Sequence, residues 1–254
     1  MPSISVIMNC ANGVEFLREA IDSVFLQEFS DWELVFVDNC STDGSAEIVQ
    51  SYAHDGRIRY VRTDTRMPLY AARNVGVANA KGQYVSFHDV DDILEVDMLA
   101  RLHEAMNESV SLVYGGYRYI DRNGNFLGRN IQGNARGNLT NRLLLRSFVA
   151  VGCVMVRREV IERMRFDPSY NIIGDFEMWT RLAAAGERCV PVDRFLTRIR
   201  VHGRNLSIVQ FDRWIGEERR FYRKFLSRHG IRYPAIMAYI VKSELSHLIK
   251  RKRI

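Results

Sequence analysis

Residues 68–92 read PLYAARNVGVANAKGQYVSFHDVDD, and their pattern decides the fold class. Residues 69–80 have the spacing of a helix, and GQYVSFHD, residues 82–89, reads as a strand. The strand runs out into a histidine and three aspartates within five positions, 88–92. A helix that hands the chain to a buried strand is half of a β-α-β unit.

The same alternation extends on both sides of this stretch. SISVIMN (3–9), WELVFVD (32–38), IRYVR (58–62) and SLVYGG (111–116) read as strands. Residues 14–27, 44–54 and 96–107 read as helices, with Ser41 and Thr42 as candidate caps of the second. Strands alternating with helices of this length predict an α/β protein with a mixed, mostly parallel sheet and helices on both faces. Ligands of such sheets bind beyond the carboxyl ends of the strands, where the strand order reverses. The residues at those ends are Asn9, Asp38 and Asp89.

Past residue 116 the rhythm changes. YRYIDRNGNFLG (117–128) reads as a hairpin turning at Asn123-Gly124, and the polar residues 129–138 as a mobile loop. A helix over 138–146, a strand over 148–156, a short helix over 158–164 and a helix over 175–186 follow. RCVPVD and FLTRIRV read as two more strands. The rest is a helical tail, with Phe211, Ile215, Tyr222, Phe225 and Leu226 near one face, then Ile236, Ile240, Leu245, Leu248 and Ile249.

The 254 residues are 47% hydrophobic and 26% charged, enough apolar material for a large core without metal or disulfide staples. The four cysteines form no Cys-x-x-Cys pair, which argues against a zinc ribbon and fits a reducing cytosol. No apolar run approaches a membrane span, and no secretory signal opens the chain. The net charge of +6 sits in the tail, which ends in KRKRI; it favours an anionic partner, a nucleotide or the inner face of a membrane. No Gly-x-Gly-x-x-Gly, Walker loop or Gly-x-Ser-x-Gly is present, so dinucleotide, P-loop and serine-hydrolase chemistries are disfavoured.

Asp89, Asp91 and Asp92 place carboxylates where Mg²⁺ or Mn²⁺ binds, since hard cations take oxygen ligands and share them with substrate phosphates. The structural alternative is a polar turn, with Asp92 capping the next helix. Asp38 suits a base N–H or a ribose hydroxyl, or else a turn built by Asp, Asn and Ser side chains. Arg73 suits a diphosphate or base edge, or a surface ion pair. Asp175, at the start of its helix, is a general base or an N-cap. His202 is a metal ligand, a phosphate contact or an ordinary loop histidine.

Three ordered segments resemble glycosyltransferase family 2, whose members have the GT-A fold. ISVIMNCANGVEFLREAIDSVFLQEFSDWELVFVDNCSTDGS is similar to that family's nucleotide-binding opening, the stretch at 68–92 to its arginine helix and metal motif, and IIGDFEMWTRLAAAG to its acceptor-side segment. The likeness runs from about Ser3 to Ser207. It implies an inverting transfer from a nucleotide-diphosphate sugar, UDP-linked by preference, to a saccharide or lipid-linked saccharide, as in cell-surface polysaccharide assembly. Implied roles are nucleotide contacts by Asn9, Ala11, Asn12, Asp38, Arg73 and Asp89, a Mg²⁺ or Mn²⁺ on Asp91 with His202, and Asp175 as base. Residues 1–116 would hold the donor, 117–206 the acceptor and the base, and 207–254 would be a basic helical tail resting on the membrane face or packed on the core. Nucleic acid is not an expected partner. Rival readings are a metal-dependent sugar nucleotidyltransferase and a non-catalytic basic binding module. Two departures stand out: NCAN replaces the family's Pro-x-Tyr-Asn, with Ala11 at the tyrosine position, and His88 replaces an apolar residue.

Overall fold

The computed structural model describes residues 1–132 and 138–233. The elements, in chain order, are β1 (Ile4–Cys10), α1 (Leu17–Phe25), β2 (Trp32–Asp38), α2 (Ser45–Ser51), β3 (Ile58–Arg62), α3 (Leu69–Asn79) and β4 (Tyr84–Asp89). They continue with β5 (Ile93–Leu94), α4 (Met98–Glu104), β6 (Leu112–Ile120), β7 (Phe126–Ile131), α5 (Leu139–Leu145), β8 (Val154–Arg157) and α6 (Arg158–Met164). The last are α7 (Gly174–Ala184), β9 (Cys189–Arg200), α8 (Leu206–Val209) and α9 (Phe211–His229).

The described strands form one nine-stranded sheet in the order β3-β2-β1-β4-β8-β6-β9-β5, with β7 beside β6. β3, β2, β1 and β4 run parallel; β8 is antiparallel to both β4 and β6, and β9 is parallel to β6. The expected mixed, mostly parallel sheet is therefore observed. The chain leaves β1 towards β2 and β3, then returns through α3 to pair β4 on the other side of β1. The strand order thus reverses between β1 and β4, which is where a crevice opens in such sheets.

Side-chain alternation along the strands divides the core in two. On one face Ile7, Phe87 and Tyr114 pack under α3, α5, α6, α7 and α9. On the other, Val6, Met8 and Leu34 pack under α1, α2 and α4. Gly76 lets α3 lie close to the sheet: a Cβ there would sit 2.4 Å from Ile7 Cγ2. Gly76→Ala should therefore cost about 1–3 kcal/mol of stability despite its better helix propensity, as read by urea denaturation.

Several expectations are corrected. Ser41 and Thr42 do not cap α2, whose N-cap is Gly44 without a side-chain bond. Instead Asp38 Oδ1 accepts from Ser41 N at 2.7 Å, bending the chain before the helix begins. The strand expected over 148–156 shrinks to β8, because 151–153 form a 3-10 turn. RCVPVD and FLTRIRV are one long strand, β9, shared by β6 and β5. Residues 129–131, expected in a loop, belong to β7; 133–137 lie outside the described residues. In the tail, Phe211 is 54% exposed, whereas Phe221, Tyr222 and Phe225 are buried. The expectations for Ile236, Ile240, Leu245, Leu248, Ile249 and the terminal basic run also fall outside the described residues. Among the described residues no helix is long and apolar enough to cross a membrane.

Candidate active site

Parallel strands end on one rim, so β1, β2, β4, β6 and β9 deliver Asn9, Asp38, Asp89, Ile120 and Arg200 to the same side of the sheet. The turn Asp121–Asn125 follows β6, with Gly124 in the left-handed region at φ 88°. His202 follows β9.

Asp38 is fully buried. Its carboxylate accepts from Tyr60 Oη at 2.5 Å and Ser41 N at 2.7 Å, and pairs with Arg62. Burial works to raise this carboxyl, but Tyr60, Ser41 and Arg62 outweigh it and hold it below the ordinary aspartate range. The neighbouring loops are laced together. Asn12 N donates to Ser41 Oγ at 3.1 Å, and Asn12 Oδ1 accepts from Thr42 N at 2.8 Å. Gly13 N donates to Ser45 Oγ at 3.1 Å. The Asn12 amide oxygen thus braces the rim, next to the partly exposed Ala11. Asn9 differs: both polar atoms of its amide are buried with no protein partner among the described residues. It is the sheet neighbour of Asp89. Buried amides are ordinarily satisfied, so this one is an exception at the rim.

On the α3 side, Arg73 is buried and donates to Asp89 Oδ1 at 2.5 Å. Its guanidinium lies 4.9 Å from the Tyr70 ring. Tyr70 Oη lies 3.1 Å from Asp175 Oδ1 and 3.2 Å from the Ile172 carbonyl, and its single proton is shared between these two acceptors. Tyr70 and Arg73 are three apart on one helix and share a face. The chain approaches them closely at Gly174, where a Cβ would lie 2.5 Å from the Tyr70 ring. Asp175 is not the N-cap of α7; Ile173 is. Buried Glu217 of α9 accepts from Asn171 N and Ile172 N, both at 2.9 Å, and so fixes the entry to α7. Burial pushes the Asp175 carboxyl above the ordinary range, while Arg73, Phe176 N and Tyr70 pull it back.

Asp91 and His202 meet across 111 residues of sequence, with His202 Nε2 at 2.8 Å from Asp91 Oδ2. Burial and the neighbouring Asp89 raise the Asp91 carboxyl, and His202 partly offsets them. A desolvated carboxylate beside a second acid is better satisfied by a cation than by water. Among the described residues no three His, Cys, Asp or Glu groups converge as a metal cage. Asp91 and His202 together could offer a cation an oxygen and a nitrogen. That set fits Mg²⁺ or Mn²⁺ that takes its remaining ligands from phosphates and water.

Asp92 is not a helix cap. It is buried, and its Oδ1 accepts from Arg200 N at 2.9 Å, stitching the acidic turn to β9. His88 points to the opposite face of the sheet, under α1. Its Nε2 lies 3.2 Å from the Ala20 carbonyl, which can only accept, and 3.3 Å from Ser23 Oγ. Burial drives its pKa down to about 4 against the favourable Asp89 charge. The unfolded chain therefore takes up this proton first. The neutral-histidine contribution is fully present above about pH 6.5 and is lost as the pH falls towards 4. Wild type should lose about 2 kcal/mol more stability between pH 7 and 5 than His88→Leu does, by denaturant titration at both pH values.

Tyr70, Tyr60, Arg62 and Arg200 escape a sequence reading. The one available signal was the three-residue spacing of Tyr70 and Arg73.

A parallel sheet whose strand order reverses between β1 and β4, an acidic turn meeting a histidine, and a half-buried aspartate tied through Tyr70 and Arg73 to the same rim define a nucleotide-sugar-dependent glycosyltransferase of GT-A fold. The profile of "Glycosyl transferase family 2" matches residues 5–165, and the chain belongs to that family. It is 30% identical over 210 residues to TuaG of Bacillus subtilis strain 168, a protein named for teichuronic acid biosynthesis, covering 81% of this chain and 82% of that one. The fold is similar to the mannosyltransferase PcManGT of Pyrobaculum calidifontis, solved with GDP-Man and Mn²⁺, at a TM-score of 0.73 and 21% identity, over 94% of this chain and 69% of that one. It is also similar to S. aureus TarS 1–349 with UDP-GlcNAc, at a TM-score of 0.67 and 20% identity, over 79% of this chain; this chain spans 59% of that one.

Proposed function

We propose that the protein is an inverting glycosyltransferase that moves a sugar from a nucleoside-diphosphate sugar, UDP-linked by preference, to a hydroxyl of a saccharide or lipid-linked saccharide acceptor. The observation that carries this reading is that the Asp91–His202 pair and the Asp175–Tyr70–Arg73–Asp89 group meet at the end of β4, where Asp89 stands two residues before Asp91. The ligands named with PcManGT and TarS support a sugar-nucleotide donor.

In this reading Asn9, Ala11, Asn12 and Asp38 line the nucleoside end. The Asn9 amide has donor and acceptor capacity to spare, whereas Asp38 acts by shaping its loop and by holding Arg62 at the edge. Ala11 leaves a stacking position without an aromatic ring. Arg73 holds Asp89 towards the ribose. Asp91 and His202 would hold the divalent cation, which when bound offsets negative charge on the departing diphosphate. Asp175 accepts the proton of the acceptor hydroxyl as its oxygen bonds to the anomeric carbon. The bond from that carbon to the diphosphate oxygen breaks with the electron pair going to the nucleoside diphosphate. Tyr70 orients Asp175, and burial raises its basicity. Attack from the face opposite the leaving group inverts the anomeric centre.

The basic tail exposes Arg223 and Arg228 on the later part of α9, and Ile208, Val209 and Phe211 are exposed at and before its start. These support peripheral contact with an anionic membrane face. Co-sedimentation with anionic but not neutral liposomes checks it. Function is tested by a screen of nucleotide sugars with Mn²⁺. Release of nucleoside diphosphate supports transfer, and release of pyrophosphate would mean a nucleotidyltransferase instead.

A further inference from the structure

Arg200 is among the largest fully buried side chains, with 2% of its surface exposed. A buried guanidinium is retained only where its donors are matched. Here Nε donates to the Asp91 carbonyl at 2.9 Å. One terminal nitrogen donates to the carbonyls of Arg122 at 2.8 Å and Asp121 at 3.5 Å, in the β6–β7 turn. The other reaches Glu19 of α1 at 2.5 Å. The Arg200 backbone is engaged as well. Its N–H donates to Asp92 at 2.9 Å, and its carbonyl accepts from Asn205 Nδ2 at 2.7 Å.

Asn205 then closes a circuit: its Oδ1 accepts from His202 N at 2.9 Å. Phe16 adds a second link, since its ring lies 4.6 Å from the Arg200 guanidinium and 5.1 Å from the His202 ring. One residue thus touches the backbone of Asp91 directly, and it grips the backbone of His202 through a single intermediate. It does so while tying α1 to the hairpin turn. With so little exposed surface, Arg200 is not placed to reach a substrate.

We propose that Arg200 is a positioning residue that keeps Asp91 and His202 facing each other, so that the pair is assembled before a divalent cation and nucleoside diphosphate arrive. This rests on reading Asp91 and His202 as the cation's protein ligands. Lysine cannot replace it fully, because one ammonium cannot reach the Asp91 carbonyl, the hairpin carbonyls and Glu19 with the geometry of a planar fork.

The test uses the full chain and Arg200→Met, Arg200→Lys and Asn205→Ala. Calorimetry measures UDP and GDP binding without metal, then Mn²⁺ binding at saturating diphosphate, and thermal melts report folding. Arg200→Met should weaken Mn²⁺ binding at least about tenfold, the order seen when support of a metal ligand is removed. Metal-free diphosphate binding should change less than about twofold, and Arg200→Lys should fall between. Should Arg200→Met fail to fold, Asn205→Ala decides, since it cuts only the arm to His202; Mn²⁺ binding several-fold weaker is expected. A folded Arg200→Met or Asn205→Ala that binds Mn²⁺ like wild type overturns the proposal. So does a parallel loss of metal-free binding, which would mark a general structural role. Wild type that binds diphosphate but no Mn²⁺ overturns the metal reading and this inference with it, and is recognised because it appears before any substitution.

Discussion

Asp175→Asn should lower sugar transfer by about 10³-fold or more while leaving the fold and donor binding intact, the upper part of the range for a positioned general base. The amide is isosteric and can still accept from Tyr70 and from Phe176 N through its oxygen, as the carboxylate does now at 3.1 and 2.8 Å. What it lacks is a basic lone pair for the acceptor proton. Buried Arg73 keeps its partner Asp89, so no cation is orphaned by the change. The expected measurements are an unchanged or slightly raised melting temperature, unchanged affinity for the donor and a collapsed kcat. Wild type should also show an acid limb in kcat that lies above the ordinary carboxylate range, because burial raises Asp175. Activity rises with pH through that limb, since the base acts ionised. A variant that transfers at a tenth of the wild-type rate would remove Asp175 from the role.

Tyr70→Phe separates orientation from basicity. It removes the hydroxyl that holds Asp175 but leaves the ring against Arg73, so a smaller loss than that of Asp175→Asn follows if the tyrosine only orients the base.

The alternation of short apolar runs with helices was legible because each is local, and it predicted which residues would end the strands. That placed Asn9, Asp38 and Asp89 on one rim, where they stand. What escaped depends on distant pairing. Asp92 was expected to cap the next helix, as its neighbours suggest; its partner is instead Arg200, 108 residues on. His88 could not be placed without knowing which sheet face lay beneath α1. β8 was overextended because Val149, Val151 and Cys153 are as buried and apolar as strand residues, though the backbone coils there into a 3-10 turn. Phe211 shares a face by period with Tyr222 and Phe225, yet it is exposed while those two are buried and Phe221 packs against Phe176 at 4.8 Å. In each case tertiary context overrode a correct local pattern.

Asp91→Asn should move stability and function in opposite directions. Asp91 is half-buried beside Asp89, and both desolvation and that charge raise its pKa. Without a cation its ionised form is a cost that His202 only partly offsets. Replacing it with a neutral amide relieves that cost, so the metal-free variant should melt at or above the wild-type temperature. Transfer, in contrast, should fall by roughly 10²-fold or more, because one of the two donors proposed for the cation is gone. Wild type with Mn²⁺ and UDP at a hundred times Kd should gain about 2.7 kcal/mol of stability by mass action, and the variant far less. EDTA should reduce wild type to the variant's rate and leave the variant's residual rate unaltered. The double change Asp91→Asn/His202→Ala should cost little more than Asp91→Asn alone, since the two side chains 2.8 Å apart act as one unit. Additive losses would show that His202 serves the diphosphate independently of Asp91. A metal-free variant clearly less stable than wild type would show that Asp91 is retained for the fold, with the acidic turn's charge satisfied by His202 and not by a cation.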